Sequence, residues 1–158
     1  MTDIWDVVSQ DVSHLQKRLH PLYIIAGKPD SGKTDMAKRL EKEGLVVYVN
    51  LSLNVAHCLL RQDDMLPLDV NKLLMCCPQT DLYRPLLFDN IELLFTLKIQ
   101  IIPFFQEVSR HHPAVVIWPD EVHGGIFHYS APNMDDYYYF LDSTVMVINL
   151  KKKNGGDL

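Results

Sequence analysis

The chain alternates between short runs of consecutive apolar residues and longer segments in which apolar residues recur every three or four positions. Nearly uninterrupted apolar runs that are rich in β-branched side chains are typical of strands buried on both faces of a parallel sheet. Such runs occupy residues 22–26, 45–49, 85–88, 114–118 and 145–150. One more strand, with alternating sides, is predicted over residues 126–130 after a pair of glycines.

The segments between these runs predict helices, because their apolar residues repeat with helical spacing. The helix after the first run is expected to end at Gly44, since glycine readily adopts the left-handed conformation that closes a helix. The helix after the second run is expected to begin at Ser52 or Asn54. Residues 135–139 are acidic and aromatic, and they predict either a packing helix or a contact surface. The predicted helices cover residues 4–19, 33–43, 50–62, a short stretch from about 69, and 98–110.

The first apolar run passes directly into a loop with a recognisable pattern. Glycine stands at the first and sixth positions and is followed by lysine and threonine, which matches the phosphate-binding loop (Walker A) at every fixed position. Glycines let successive backbone N–H groups approach a phosphate, and the following helix adds unpaired N–H groups and a positive dipole end. The residues predicted to bind a nucleotide are Gly27, Lys28, Pro29, Asp30, Ser31, Gly32, Lys33 and Thr34.

Two residues of this loop and three residues after the third run are predicted to carry the chemistry. Lys33 is expected to reach the β- and γ-phosphates, and Thr34 to ligate Mg²⁺. Asp89 ends an apolar run, and the carboxyl ends of parallel strands line the ligand crevice, so Asp89 is predicted to hold Mg²⁺ with Thr34 (Walker B). Many P-loop ATPases have a glutamate next, which orients the attacking water. Here Asn90 follows, which can position water but cannot accept a proton, and Glu92 is the alternative.

Two other groups of residues have more than one interpretation. His123 and His128 lie near Asp120 and Glu121, but without cysteines or helical spacing a metal site there is disfavoured. Arg110 closes the last predicted helix. It either stabilises the negative end of that helix or serves as an arginine finger for a neighbouring subunit.

Composition and charge narrow the functional classes. The net charge of −5 argues against sequence-independent DNA binding by this chain alone, so DNA contact is expected only indirectly. The three cysteines lack the paired spacing of a zinc site or a disulfide framework, which favours free thiols in a reducing compartment. No apolar run approaches the roughly 18 residues of a membrane span, and the acidic N-terminus differs from a secretory signal. We therefore expect a cytoplasmic protein without a membrane partner.

These elements predict a three-layer α/β/α sandwich of the P-loop NTPase type, with a mostly parallel central sheet. The predicted organisation is an N-terminal helix packed on the domain (1–20), a P-loop NTPase domain (21–150) and a flexible tail (151–158). No helical lid is predicted after the last strand. A ring-forming ATPase would then need a neighbouring copy to complete its site, so a homo-oligomer is expected.

The loop, the residues Asp89-Asn90-Ile91-Glu92 and the stretch 115–140 together resemble the BrxF family, the small P-loop NTPases of type 3 bacteriophage exclusion (BREX) systems. The most particular part is a strand ending in Trp118-Pro119, followed by a glycine-rich turn, an aromatic strand, a proline and a tyrosine-rich segment. The resemblance spans essentially the whole chain. It implies bacterial antiviral defence alongside a methyltransferase, an alkaline-phosphatase-like protein, a large ATPase and a helicase. The residues onto which it carries are Gly27, Gly32, Lys33, Thr34 and Asp89.

Three functions follow from these residues. The first is a Mg²⁺-dependent ATPase that couples ATP binding or hydrolysis to assembly of a defence complex. Adenine is favoured by default, since the Asn-Lys-x-Asp guanine signature is missing. The second is a nucleoside or small-molecule kinase, although the chain has no arginine-rich segment to form the lid that such enzymes need. The third is a nucleotide-gated interaction module that hydrolyses little, which Asn90 favours.

Overall fold

The computed structural model describes residues 3–81 and 83–151, and its elements alternate between strand and helix. The strands are β1 (Leu22–Ala26), β2 (Val47–Asn50), β3 (Leu86–Asp89), β4 (Ala114–Ile117), β5 (Ile126–Tyr129), β6 (Tyr138–Leu141) and β7 (Met146–Asn149). The helices are α1 (Ile4–Ser13), α2 (Lys33–Lys42), α3 (Leu51–Arg61), α4 (Val70–Met75), α5 (Glu92–Thr96) and α6 (Ile101–His111), with a 3₁₀ turn at Leu15–Lys17.

Five strands form one sheet in the order β2-β3-β4-β1-β7, and every pairing within it is parallel. The prediction of an α/β fold with a mostly parallel sheet is confirmed. Strands β1 and β2 follow each other in the chain, but β4 and β3 lie between them. The end of β4 is consequently placed between the glycine loop after β1 and Asp89 at the end of β3.

The two faces of the sheet bury separate clusters of side chains, because successive residues of a strand point to opposite sides. On β1, Ile24 packs in the cluster formed with α3, α4, α5 and α6. Its neighbours Tyr23 and Ile25 pack in the cluster formed with α1 and α2. Helices therefore cover both faces, which is the predicted three-layer sandwich.

Strands β5 and β6 form an antiparallel hairpin outside the main sheet. The strand predicted over 126–130 is confirmed, whereas the helix offered as one alternative for 135–139 is wrong, since β6 begins at Tyr138. Tyr138 is buried, and its hydroxyl accepts a hydrogen bond of 3.1 Å from the backbone N–H of Ile102. Trp118 packs edge-on against Phe127. These aromatic contacts hold the hairpin over the end of β4.

The helix boundaries differ from the predicted ones in three places, of which the end of α1 is described below. The side chain of Asn50 caps α3 by accepting from Leu53 N at 3.2 Å, so the expected start at Ser52 or Asn54 is wrong. The segment before α6 contains the additional short helix α5, and the chain leaves it through Lys98 at φ 60°. A left-handed residue ends a helix, which separates α5 from α6.

The N-terminal helix packs on the domain and buries Val8 and Val12, but the predicted extent to residue 19 is wrong, because α1 ends at Ser13 and a 3₁₀ turn follows at Leu15–Lys17. Residues 152–158 of the predicted tail lie outside the described part of the chain. Among the described residues, none of the helices has both the length and the apolar character needed to cross a bilayer.

Candidate functional site

The loop between β1 and α2 has a backbone that requires its two glycines. Gly27 has φ 151°, and a Cβ atom there would lie 2.5 Å from Ser31 Oγ and 2.8 Å from the Leu150 carbonyl oxygen. Gly32 has φ 90° and forms the N-cap of α2. The first turn of α2 therefore points its unpaired N–H groups into the loop, where an anion would be stabilised.

Lys33 lies at the centre of the site. Its ammonium group donates to the carbonyl oxygen of Gly27 and to that of Trp118, the latter over 2.9 Å. The side chain thereby joins the loop after β1 to the end of β4. Both acceptors are neutral, and a phosphate oxygen would be a stronger partner for an ammonium group.

The negative charges of three carboxylates act on this ammonium group. Burial lowers the pKa of Lys33, and the negative charges of Asp120, Asp89 and Glu92 act in the opposite direction. They come from the segment after β4, the end of β3 and the start of α5. Lys33 is thus a half-buried cation that belongs to a cluster of acidic side chains.

Asp89 is 3% exposed and is held by three hydrogen bonds. Its Oδ2 accepts from Thr34 Oγ1 at 3.2 Å and from the Tyr48 hydroxyl at 2.7 Å, and its Oδ1 accepts from the backbone N–H of Asn90 at 2.9 Å. Burial, followed by the hydrogen bond to Asp89, raises the pKa of Tyr48. The predicted pair of Thr34 and Asp89 is therefore in direct contact.

Asn90 and Glu92 occupy different positions around Asp89. Asn90 has φ 55°, and its carbonyl oxygen accepts from the backbone N–H of Ser52 at 3.2 Å and from the Ser52 hydroxyl. These bonds fix the turn between β3 and α5. Glu92 is the exposed first residue of α5, and its charge acts on Lys33.

The other loop residues contribute mainly through their backbone. Lys28, Pro29 and Asp30 are exposed, and Asp30 has φ 68°. Lys28 Nζ lies 3.6 Å from a Glu121 carboxylate oxygen. Since both groups are solvated, this ion pair contributes little to stability.

The Ser31 hydroxyl is buried and has no hydrogen-bond partner among the described residues. Ser31 is only 5% exposed, and leaving a buried hydroxyl unpaired costs about 1–3 kcal/mol. A phosphate oxygen over the loop would supply an acceptor after rotation of this side chain. The unpaired hydroxyl therefore fits a loop that is built to hold an anion.

The oxygen ligands at this site suit Mg²⁺ better than they suit a metal ion that is bound by protein side chains alone. No group of three or more His, Cys, Asp or Glu side chains that could hold a metal occurs within residues 3–81 and 83–151. Mg²⁺ is usually bound by one or two protein oxygens, with waters and phosphates completing its shell. Thr34 Oγ1 and the Asp89 carboxylate provide such a pair of oxygens. At His123 and His128, where the sequence disfavours a metal site, the described residues form no metal-binding group of three or more side chains.

Tyr48, Trp118 and Asp120 complete the site but were not predicted to belong to it. The Asp120 carbonyl oxygen accepts from the backbone N–H of Gly27 at 3.0 Å, which fastens the loop to the end of β4. A hydroxyl near the end of a predicted strand was the only signal for Tyr48. Arg110, in contrast, donates to Glu107 on its own helix at 2.9 Å.

Neither a protein-family model nor a curated protein sequence matches this chain.

Proposed function

We propose that this protein binds ATP with Mg²⁺ in the loop between β1 and α2 and hydrolyses it. The observation that carries the proposal is the convergence of Lys33 and Thr34, in the first turn of α2, with Asp89, at the end of β3, beside the ends of parallel strands. Ligands of open parallel sheets bind at this edge. Bound Mg²⁺ would offset the charge of the phosphate oxygens that it touches.

The roles of the residues follow from their contacts. The loop N–H groups and the first turn of α2 provide donors for the phosphates. Lys33 would exchange its two carbonyl partners for phosphate oxygens while it remains half-buried, where a charge interaction is stronger than in water. Thr34 and Asp89 would hold Mg²⁺, and Tyr48 keeps the Asp89 carboxylate in position.

Hydrolysis also needs a group that orients and deprotonates water. The residue after Asp89 is Asn90, whose amide does not accept a proton. Glu92 and Asp120 are carboxylates whose charges act on Lys33, so we take them as the candidate proton acceptors. We expect slow turnover, because neither carboxylate extends directly from the end of β3.

The side-chain amide of Asn90 also supports a second function. With Asn90 in place of a carboxylate, the protein would act as a nucleotide-gated interaction module, which binds ATP and hydrolyses little. The two functions share the phosphate loop and differ only in turnover.

Phosphate release over many turnovers separates these functions. Wild-type protein with ATP and Mg²⁺ is compared with Lys33→Ala and with Lys42→Ala, a control at the exposed end of α2. We expect release by the wild type and by Lys42→Ala, and background release by Lys33→Ala. If all three proteins release phosphate only at the background rate while the wild type still binds ATP, the ATPase function is wrong and the interaction module is retained. If folded wild-type protein has no Mg²⁺-dependent affinity for any nucleotide, both functions are wrong.

We further propose a cytoplasmic role in a BREX antiviral complex. The support for this setting is the resemblance of the loop, of residues 89–92 and of residues 115–140 to the BrxF family. The expected partners are the methyltransferase, the alkaline-phosphatase-like protein, the large ATPase and the helicase of such a system. Co-purification of these proteins with the wild type in the presence of ATP, and its loss with Lys33→Ala, is the test. If the wild type stays a monomer when ATP is added and purifies without these partners, the proposed role in a BREX complex is wrong.

A further inference from the structure

A second cleft lies next to the phosphate loop, between α1, α2 and the end of β7. Its volume is about 490 Å³, within the range of roughly 300–1,000 Å³ that is usual for small-molecule sites. Residues from all three elements and from the loop line it, so no single element explains its shape. The residues used below are Ile4, Trp5, Ser31, Gly32, Asp35, Met36, Arg39 and Leu150.

The walls of this cleft are apolar and aromatic. The guanidinium carbon of Arg39 lies 4.0 Å from the centre of the Trp5 ring, which makes a flat, stacked wall. Met36 is half-buried, Leu150 is buried, and Ile4 remains 42% exposed although it is a large hydrophobic residue. Flat aromatic rings of a ligand stack favourably on surfaces of this kind.

This cleft adjoins the phosphate-binding cleft. Gly32 and Asp35 line both clefts. The phosphate-binding cleft is also lined by Pro29, Asp30, Lys33 and Thr34. Ser31, whose buried hydroxyl has no partner among the described residues, also lines the apolar cleft. A ligand that joins an anionic tail to a flat apolar ring would therefore span the two volumes around Gly32.

We propose that the cleft lined by Ile4, Trp5, Met36, Arg39 and Leu150 binds the base of the nucleotide, with Trp5 and Arg39 as the stacking surface. This assignment rests on the proposed function, because it needs phosphates in the adjoining loop. It gives α1 a role in ligand binding in addition to its packing on the core. Asp35, which lines both clefts, is then a polar residue between the base and the phosphates.

Comparison of ATP with inorganic tripolyphosphate tests the assignment, because the two ligands share the phosphates and differ in the base. Affinities are measured by calorimetry with Mg²⁺ for the wild type, Trp5→Ala, Trp5→Phe and Lys33→Ala. We expect Trp5→Ala to weaken ATP binding about 5- to 100-fold, in line with the measured value of base stacking, and to change tripolyphosphate binding less than about twofold. Trp5→Phe retains an aromatic ring and is expected to keep most of the affinity for ATP.

The exposed residues Ile4 and Leu60 provide a second pair of variants, which does not depend on the folding of Trp5→Ala. Ile4→Ala is expected to weaken ATP binding selectively, whereas Leu60→Ala, at an 86% exposed position on α3, is expected to have no effect. Fluorescence gives an independent readout. Trp5 and the fully buried Trp118 are the two tryptophans of the chain, so ATP should change the emission of the wild type more than that of Trp5→Phe, which keeps only Trp118.

The outcomes separate this inference from the function on which it rests. If the wild type binds tripolyphosphate as tightly as ATP, or if Trp5→Ala and Ile4→Ala bind ATP as the wild type does, the base lies elsewhere and the phosphate loop still stands. If Lys33→Ala loses both ATP and tripolyphosphate while Trp5→Ala and Ile4→Ala bind both normally, the base likewise lies elsewhere and the phosphate loop still stands. If the folded wild type binds neither ligand, the proposed function fails together with the inference.

Discussion

Thr34 Oγ1 donates a hydrogen bond of 3.2 Å to Asp89 Oδ2, although 55 residues separate the two along the chain. Thr34 lies in the first turn of α2 and Asp89 ends β3, and strand β4 lies between β1 and β3 in the sheet. Their contact therefore requires β1, β4 and β3 to be assembled side by side. It places a hydroxyl and a carboxylate oxygen together beside the half-buried ammonium group of Lys33.

Asp89→Asn is expected to remove the Mg²⁺ dependence of nucleotide binding. The amide lacks the negative charge that a divalent cation requires, and changes around metal sites commonly cost about 10- to 100-fold in affinity. Titration of ATP at several Mg²⁺ concentrations measures the effect. Asp64→Asn, at an exposed position between α3 and α4, is the matched control. Equal Mg²⁺ dependence in wild type and Asp89→Asn would exclude Asp89 as a ligand.

Tyr48→Phe is expected to destabilise the fold, because the tyrosine hydroxyl donates to the Asp89 carboxylate at 2.7 Å. Hydrogen bonds to charged groups contribute about 1.5–3 kcal/mol, and we expect a loss in this range in the free energy of unfolding measured with urea. Tyr139→Phe removes a hydroxyl from a half-exposed side chain on the hairpin and should change stability by less than about 0.5 kcal/mol. Equal stability of the two variants would show that the Tyr48 bond contributes nothing.

Gly27→Ala is expected to destabilise the protein more than Gly44→Ala. Both glycines have positive φ, so each substitution carries a backbone cost of about 1–2 kcal/mol. Only at Gly27 does the new Cβ meet neighbouring atoms, among them the backbone oxygen of Leu150 at 2.8 Å. Overpacking of this kind adds about 1–3 kcal/mol. Thermal or urea unfolding of the two variants provides the comparison, and an equal loss would mean that the loop relaxes freely.

Stability is expected to fall above about pH 9 through Cys77. Burial raises the pKa of this thiol from 9.0 to about 12, so the unfolded chain loses the proton first as the pH rises. The stabilisation is complete below pH 9 and is lost between about pH 9 and 12. Lys33, whose pKa is lowered, acts in the opposite direction, so the difference between wild type and Cys77→Ala isolates the thiol. Urea unfolding from pH 8 to 11 should show a shallower decline in Cys77→Ala; parallel curves would contradict this.

Glu92→Gln is expected to lower the rate of phosphate release about 100-fold while the affinity for ATP stays the same, if this carboxylate acts as the proton acceptor. The amide preserves the size of the side chain and removes its basicity. Asp120→Asn is the informative comparison, because Asp120 is the other candidate near Lys33. Loss of turnover in Asp120→Asn with full turnover in Glu92→Gln would assign the role to Asp120.

The amino-acid sequence alone was sufficient for the loop, the helix after it and the class of the fold. The conformations at Gly27 and Gly32 depend on φ angles that a short segment encodes, and the apolar runs reflect burial on both faces of a parallel sheet. Asp89 was predicted to lie beside Thr34, and the two side chains are hydrogen-bonded. Their catalytic and binding roles remain predictions.

Only the tertiary structure decided which other residues join them. Tyr48 reaches Asp89, and the Trp118 carbonyl reaches Lys33, because β2, β3, β4 and β1 are adjacent in this order. The apolar runs resemble one another, and their pattern carries no information about which strand pairs with which. Tyr138 illustrates the same limit, since its strand β6 pairs with β5, where Tyr138 lies opposite Tyr129. Contacts between distant parts of a chain depend on strand order and register, and these are properties of the assembled sheet.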